Sequence, residues 1–329
     1  MTRLAVIGAG AWGTALAMIA RRAGSDVAIW ARSAAIAEAI TQRHENPVYL
    51  PGIALAPGIA ATTDLAVAVA GADAALVVVP AQFLCEALAG FGPRLPPTLP
   101  LLLCAKGIET GSLKTMAELV ADVRPATSLA VLSGPSFAAE VARDLPTAVV
   151  IASPDSALAE FFAAALGNPR FRPYVSEDVT GDELGGAVKN VLAIACGILD
   201  GLKLGDNARA ALITRGLAEM TRLGVAKGAR PETFAGLSGL GDLVLTCCGG
   251  LSRNHALGVA LGQGTGLEAA LAGRRSVVEG VASAASITAL AASLKVDMPI
   301  VAAVDAVLHR GMAIGLMIDG LLARPRRSE

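Results

Sequence analysis

The chain has 329 residues, which is long enough for two domains that each bury their own core. Hydrophobic residues make up 54% of it and aromatic residues only 3%, so we expect interiors built mainly from small aliphatic side chains. The formal net charge of -1 and the lack of long basic runs argue against a nucleic acid partner.

The apolar composition raises the question of a membrane. The uncharged stretch 46–63 contains three prolines and two glycines, so it cannot cross a bilayer as a helix, and we expect no stable membrane insertion. The apolar run at the N-terminus is too short for a signal peptide. Five cysteines without a C-x-x-C pair suit a reducing cytoplasm, and nothing resembling a metal site surrounds the three histidines, so no metal site is expected.

In the first half of the chain, short apolar runs alternate with helical patterns. Strands are predicted at 4–8, 26–31, 75–80, 101–105, 128–133 and 147–152, and helices at 12–22, 33–43, 82–90, 112–123 and 154–166. Nearly continuous apolar strands are typical of sheets that are buried on both faces. We therefore predict an α/β Rossmann domain with a doubly wound, mostly parallel sheet over residues 1–180.

From about residue 181 the alternation stops and helical patterns dominate. The clearest lie at 185–200, 207–223 and 283–294. A polar stretch at 176–181 precedes the first of them and marks the expected boundary. Residues 181–329 are therefore predicted to form an all-α domain, and the candidate residues described below make it the expected substrate-binding and catalytic domain.

A glycine-rich loop follows the first predicted strand and opens the first predicted helix. Gly8, Gly10 and Gly13 form a G-x-G-x-x-G pattern there. Gly8 permits the tight turn, Gly10 lets the backbone approach a pyrophosphate, and Gly13 allows the helix to pack closely on the strand. This context predicts that a dinucleotide cofactor binds at the helix N-terminus.

The residue after the second strand bears on which dinucleotide is bound. An acidic residue at this position binds the ribose hydroxyls of NAD, whereas Arg32 stands here and suits the 2′-phosphate of NADP. The cofactor is therefore expected to be NADP or NAD, with NADP favoured by Arg32. The alternative is an ordinary exposed arginine at the end of a strand.

Lys189 lies in a helical stretch that is apolar nearly all round. Its helical neighbours Gly185, Gly186 and Ala193 are small, which predicts room beside a buried amine. Such an amine suits general acid-base chemistry on a carbonyl or hydroxyl group, and Asp242, set between a glycine turn and an apolar run, is a candidate to orient it. The alternative is a purely structural ion pair between Lys189 and a nearby acid.

Two further groups of residues are typical of anion-binding sites. Ser252, Arg253 and Asn254 open a helical stretch, where backbone amides and a guanidinium suit a phosphate; a capped helix with a solvated arginine is the alternative. Lys106 follows one predicted strand, and Gly134 and Ser136 follow another, at the edge where such sheets bind ligands. An ordinary turn into a helix is the alternative for the latter pair.

Nine stretches, in order over almost the whole chain, carry a family resemblance. They are GAGAWGTALA from Gly8, NPVYLPG from Asn46, AKGIE from Ala105, SGPSFAAEVA from Ser133, LGGAVKNVLAIACGILDG from Leu184, NARAALITRGLAEM from Asn207, GLGDLVLTC from Gly239, LSRN from Leu251 and VVEG from Val277. Together they resemble the NAD(P)-dependent glycerol-3-phosphate dehydrogenases of the bacterial type.

The resemblance implies a function and a set of site residues. The expected reaction is the reversible NAD(P)H-dependent reduction of dihydroxyacetone phosphate to sn-glycerol 3-phosphate for glycerophospholipid synthesis, in a cytoplasmic homodimer, with Lys189 as proton donor and acceptor. The implied substrate-binding residues are Lys106, Gly134, Ser136, Lys189, Asp242, Ser252, Arg253 and Asn254. The cofactor-binding residues are expected to be Gly8, Gly10, Ala11, Trp12, Gly13, Arg32, Tyr49, Lys106, Ala138, Arg253, Val277 and Glu279.

Two other functions remain open from the residues alone. One is a two-domain dehydrogenase for a hydroxy acid or sugar acid, against which the SRN and GLGDLVLTC motifs argue. The other is a nucleotide-sensing regulator that has kept the fold without the chemistry. The presence of Lys189, Asp242 and Arg253 together argues against that second function.

Overall fold

The computed structural model describes residues 1–273 and 277–325. The chain forms two compact units. The first contains Met1–Lys106 and Lys114–Glu183, and the second contains Gly107–Leu113 and the chain from Leu184 onward.

In the part of the chain that the structure describes, the first unit contains one eight-stranded sheet in the order β10-β9-β8-β7-β6-β1-β2-β5 and a two-stranded pair, β3-β4. Neighbouring strands of the large sheet run parallel, except that β8 and β9 are antiparallel. The strands are β1 Arg3–Ile7, β2 Asp26–Trp30, β3 Glu45–Asn46, β4 Leu50–Ala54, β5 Ile59–Thr62, β6 Ala74–Val77, β7 Leu101–Leu103, β8 Leu129–Ser133, β9 Thr147–Ala152 and β10 Phe171–Ser176.

Both faces of this sheet are buried. Along β1, Leu4 and Val6 belong to one hydrophobic core, whereas Ala5 and Ile7 belong to another. Because successive side chains of a strand point to opposite faces, a strand between two cores is apolar at every position. The predicted doubly wound, mostly parallel Rossmann sheet is thus confirmed, and all six predicted strands lie within a few residues of the expected positions.

The strands that the sequence pattern missed are β10 and β5, at the two ends of the large sheet, and the short pair β3-β4. β10 contains Arg172 and Pro173 and exposes Tyr174 and Val175, so it lacks a continuous apolar run. Edge strands need only one protected side and tolerate proline, and their sequences therefore resemble loops.

Helices of the first unit connect these strands. They are α1 Ala11–Arg22, α2 Ala34–Glu38, α3 Leu65–Val69, α4 Leu84–Phe91, α5 Met116–Val123, α6 Ala138–Ala142 and α7 Ser156–Leu166. The predicted start of α5 at residue 112 is wrong. Thr115 and Glu118 form a capping box, in which each side chain accepts a hydrogen bond from the other residue's backbone, so α5 begins at Met116.

Every regular element in the described part of the second unit is helical, which confirms the predicted helical second half. The helices are α8 Val179–Gly201, which belongs to this unit from Leu184 onward, α9 Asp206–Ala226, α10 Asp242–Cys248, α11 Arg253–Gly262, α12 Leu267–Leu271, α13 Glu279–Ser293, α14 Pro299–His309 and α15 Ile314–Leu322, with a 3-10 helix at Pro231–Ala235 and a π-helix at Leu237–Gly241. The predicted start of α8 at residue 185 is wrong, because the Asp178 side chain accepts a hydrogen bond from the amide of Gly181 at 3.0 Å and the helix begins at Val179.

One helix of the described residues, α8, is long and apolar enough to cross a membrane by length and composition. Within its most apolar window, 89% of the residues are buried inside the protein. The core helix of a water-soluble protein meets the same criteria, and α8 supplies many of the residues of the second unit's core.

Candidate active site

The glycine loop between β1 and α1 has the geometry of a phosphate-binding turn. Gly8 has a φ of +123°, and a Cβ added there would lie 2.7 Å from the carbonyl oxygen of Val78. A Cβ at Gly13 would lie 1.9 Å from the carbonyl oxygen of Gly8, whereas nothing lies within 4 Å of a Cβ at Gly10. Gly10 is the N-cap of α1, so the open side of the loop faces the positive end of that helix. The loop therefore fits a pyrophosphate.

A buried asparagine holds this loop in place. The side-chain amide of Asn46 donates hydrogen bonds to the carbonyl oxygen of Ala9 at 2.9 Å and to Oγ1 of Thr14 at 2.8 Å. Its side-chain oxygen accepts a bond from the amide of Tyr49 at 3.2 Å. Asn46 thus ties the loop, the first turn of α1 and the segment of Tyr49 together.

Replacing Asn46 with alanine is expected to weaken NADPH binding about tenfold, because losing two buried hydrogen bonds of roughly 1 kcal/mol each releases the loop. Titration of the protein with NADPH, followed by fluorescence, measures the change. The matched control is Thr41→Ala, which removes a side chain that bonds the backbone of Ala61 instead of the loop. An unchanged NADPH affinity in the folded Asn46→Ala protein would contradict this role.

Four other residues predicted to bind the cofactor line the margin of one core of the first unit. Ala11, Trp12, Tyr49 and Ala138 are partly buried and pack against the same hydrophobic cluster. Arg32 follows β2 and is exposed, so its guanidinium is accessible. The structure therefore gathers these apolar residues around one cluster and leaves Arg32 in solvent.

Lys106, Gly134 and Ser136 meet at the carboxyl ends of β7 and β8. Nζ of Lys106 donates a hydrogen bond to the carbonyl oxygen of Gly134 at 2.9 Å, and the Ser136 hydroxyl donates to the same oxygen at 3.0 Å. Gly134 has a φ of +105°, and a Cβ there would lie 3.1 Å from the Cα of Val149. Only glycine is tolerated without strain at such a position. The three predicted residues thus form one polar cluster.

In the second unit, Lys189 and Asp242 form a buried ion pair. Nζ of Lys189 lies 2.5 Å from Oδ1 of Asp242, and it also donates a hydrogen bond to Oγ1 of Thr246 at 3.0 Å. The Thr246 hydroxyl in turn donates to the carbonyl oxygen of Asp242 at 2.6 Å. The two charges neutralise each other in a site where an isolated charge would be costly.

The helix face that Lys189 shares with Gly185 carries a close backbone contact. A Cβ at Gly185 would lie 2.3 Å from the carbonyl oxygen of Ser238, so the backbone of the π-helix before α10 packs directly on α8 at this point. The room expected beside the amine stays a prediction. The close approach brings the start of α10, and with it Asp242, next to the lysine.

Asn190, the residue after Lys189, belongs to a row of three residues that hydrogen bonds connect. Asn254 donates a hydrogen bond from Nδ2 to Oδ1 of Asn190 at 2.9 Å, and its Oδ1 accepts one from the amide of Gly280 at 3.0 Å. A Cβ at Gly280 would lie 2.6 Å from Oδ1 of Asn254, which explains the glycine in the VVEG motif. Asn254 is thus buried and bonded within the protein at both ends of its amide, and its contact with a phosphate stays a prediction.

Ser252 and Arg253 open α11, as the sequence predicted. The Ser252 hydroxyl caps the helix by accepting a hydrogen bond from the amide of His255 at 3.1 Å. Arg253 is exposed, although surrounding protein atoms lower its pKa, a shift that the nearby Glu279 carboxylate opposes. Glu279 begins α13, and Val277 before it is exposed.

Three residues with polar contacts in these clusters were given no role from the sequence: Asn46, Asn190 and Thr246. Thr246 lies four residues after Asp242 on α10, a spacing that puts both on one helix face and was available as a signal. Asn190 and Asn46 stand inside family motifs, but their partners lie far away in sequence. Among the described residues, no group of three or more His, Cys, Asp and Glu side chains could hold a metal ion.

The glycine loop on a Rossmann sheet and the buried lysine of a helical unit define a class, the dinucleotide-dependent oxidoreductases. The N-terminal and C-terminal families of NAD-dependent glycerol-3-phosphate dehydrogenase match residues 3–159 and 178–319. The chain therefore belongs to the NAD-dependent glycerol-3-phosphate dehydrogenase family and is an enzyme that uses NAD or NADP.

The names of individual relatives are consistent with this family assignment. The glycerol-3-phosphate dehydrogenase [NAD(P)+] of Rhodospirillum rubrum is 57% identical, over 99% of this chain and 93% of that protein. The protein of the same name from Caulobacter vibrioides is 57% identical, over 99% of this chain and 98% of that protein. The crystal structure of glycerol-3-phosphate dehydrogenase from Coxiella burnetii matches with a TM-score of 0.94 at 40% identity, covering 98% of this chain and 99% of that one.

Proposed function

We propose that this protein catalyses the reversible reduction of dihydroxyacetone phosphate to sn-glycerol 3-phosphate with NADPH or NADH, and that the product feeds glycerophospholipid synthesis. The observation that carries the proposal is the buried amine of Lys189, paired with Asp242 at 2.5 Å in a chain of this family. A carbonyl reduction needs a proton donor at the oxygen, and a positioned ammonium group meets that need.

Lys189 is the proton donor and acceptor in this proposal. The loop of Gly8, Gly10 and Gly13 would hold the cofactor, whose nicotinamide would supply the hydride. As the carbonyl oxygen gains negative charge, the Lys189 ammonium donates a proton to it, and in the reverse direction the neutral amine accepts the proton from the hydroxyl. Asp242 and Thr246 hold the amine through the contacts described above and restrict its orientation. The Asp242 carboxylate also favours the charged amine that must donate.

Other predicted residues bind the two reactants. Arg253, at the N-terminus of α11, is proposed to bind the substrate phosphate together with Ser252 and Asn254. Lys106 and Ser136 both donate a hydrogen bond to the carbonyl oxygen of Gly134. We propose that these three residues contact the substrate as well. The loop Gly8, Gly10 and Gly13 is proposed to hold the cofactor pyrophosphate, and the remaining cofactor contacts are assigned to Ala11, Trp12, Arg32, Tyr49, Lys106, Ala138, Arg253, Val277 and Glu279.

One assay tests the reaction. Absorbance of NADPH is followed in a mixture of the protein and NADPH, and dihydroxyacetone phosphate is then added. Oxidation of NADPH that depends on both the protein and the substrate supports the proposal. Binding of NADPH without oxidation would instead favour the nucleotide-sensing regulator.

Arg32 is proposed to favour NADP over NAD. The Arg32→Ala variant is expected to lose about tenfold in kcat/KM with NADPH, because a charge-assisted contact with the 2′-phosphate disappears, while kcat/KM with NADH changes little. Steady-state rates with each cofactor give the ratio. Arg43→Ala, which removes another exposed arginine of the first unit, is the control. An unchanged NADPH to NADH ratio would remove Arg32 from the cofactor site.

We also propose that the protein is a cytoplasmic homodimer. The sequence predicts reduced cysteines, and all five cysteines are free thiols. Free thiols support a reducing compartment. Size-exclusion chromatography with light scattering distinguishes a dimer from the single 33.0 kDa chain.

A further inference from the structure

Helices α8 and α11 of the second unit meet backbone to backbone. A Cβ added at Gly197 would lie 2.1 Å from the carbonyl oxygen of His255, and one at Gly258 would lie 2.1 Å from that of Ile194. Further along, a Cβ at Gly201 or at Gly262 would lie 2.5 Å from a carbonyl oxygen of the opposite helix. Because no side chains separate the backbones, these contacts set how closely the two helices approach. The glycine contacts extend into the first turn of α11, where side chains make further contacts.

His255 supplies one of these contacts. Its Nε2 lies 2.7 Å from Oδ2 of Asp200 near the end of α8, and the ring is mostly buried. Asp200 is held in turn by Nη1 of Arg209 on α9, at 2.9 and 3.1 Å from its two oxygens, and Arg209 also pairs with Asp206. The backbone amide of His255 donates to the Ser252 hydroxyl. His255 therefore links the first turn of α11 directly to α8, and through Asp200 to α9.

Arg253 lies two residues before His255 on this same turn. In an α-helix, two residues correspond to a rotation of about 200°, so the two side chains project from nearly opposite sides of α11. His255 is accordingly held against α8, whereas Arg253 is exposed. The ring of His255 can fix the position of Arg253 without touching whatever Arg253 binds.

We propose that His255 is a positioning residue for the substrate's phosphate group, acting through the first turn of α11 to place Arg253. The proposal rests on the proposed function, in which Arg253 binds that phosphate. His255 has no contact with the reacting atoms in this scheme. Removing the His255 side chain leaves the chemistry at Lys189 intact. It displaces Arg253 and so weakens binding of the substrate's phosphate group.

The test compares steady-state kinetics for dihydroxyacetone phosphate among variants at position 255. His255→Ala is expected to raise the Michaelis constant about fivefold to tenfold while kcat stays within about twofold, because displacement of a binding group weakens substrate binding more than chemistry. His255→Gln keeps a nitrogen donor of similar reach and is expected to restore the constant, whereas the shorter His255→Asn is not. His309→Ala, at a histidine beside Asp305 on α14, is the matched control.

A double variant shows whether His255 acts through Arg253. In the Arg253→Ala background, which is itself expected to raise the Michaelis constant strongly, His255→Ala should add almost nothing. An unchanged constant in folded His255→Ala, or the same fold-increase with and without Arg253, would overturn the inference. If His255→Ala does not fold, equal constants for the Gln and Asn variants would overturn it. Failure of the proposed function is distinct, since the wild-type protein would then not oxidise NADPH with this substrate or Arg253→Ala would leave the constant unchanged.

Discussion

Replacing Lys189 with alanine is expected to lower turnover of dihydroxyacetone phosphate by about a thousandfold, the scale of effect that a positioned general acid has on a proton transfer. The affinity for NADPH should change little, because the loop at Gly8–Gly13 and its support from Asn46 belong to the first unit. Steady-state rates give the turnover, and fluorescence titration gives the cofactor affinity.

The control for this variant is Lys203→Ala, which removes an exposed lysine just after α8. It tests whether loss of one positive charge in the second unit suffices to slow the enzyme. A near-normal rate for Lys189→Ala would refute the catalytic role and leave the ion pair with Asp242 as a structural feature.

The sequence predicted the centre of the sheet better than its edges. Strands such as β1 and β6 lie between two cores, so each of their residues must be apolar, and the pattern is local. At the edge of the described sheet, β10 pairs with β9 and carries Arg172, Pro173 and two further exposed residues, and nothing local distinguishes such a sequence from a loop. The antiparallel pairing of β8 with β9 depends on how the chain returns to the sheet, and the apolar patterns of the two strands are consistent with either direction.

The candidate site was predictable where a residue type conflicts with its local pattern. A lysine on an apolar helix is such a conflict, and so is an acid between a glycine turn and an apolar run; the two residues do form a pair. At Gly185 the sequence is less informative, because a small residue indicates a close approach without saying whether ligand or protein approaches. Here the backbone carbonyl of Ser238 fills the place.

The remaining contacts depend on distant parts of the chain. Asn46 bonds a loop 37 residues earlier, and Asn254 bonds Asn190 across 64 residues. No periodicity or motif spacing encodes such distances. The glycines of α8 and α11 are an intermediate case, since Gly197 and Gly201, like Gly258 and Gly262, are four residues apart and indicate a close helix crossing without naming the partner helix.

Replacing Asp242 with alanine is expected to lower the free energy of unfolding by about 3–5 kcal/mol, because the Lys189 ammonium would remain buried without its counter-charge. Asp242 is fully buried, and the Lys189 side chain is only 9% exposed, so solvent cannot replace the lost partner. Urea denaturation measures the change. The control is Asp122→Ala, which breaks the exposed pair with Lys114 and is expected to cost at most about 1 kcal/mol.

The double variant Lys189→Met, Asp242→Leu separates the two interpretations of this pair. Buried ion pairs replaced by apolar side chains of similar size often regain stability, so the double variant is expected to be more stable than Asp242→Ala while remaining inactive. A pair that served only the fold would behave differently, since its apolar replacement would restore turnover together with stability. Recovery of stability without turnover therefore means that the charged pair serves the proton transfer. It also means that apolar residues stabilise this part of the core at least as well as the ion pair does.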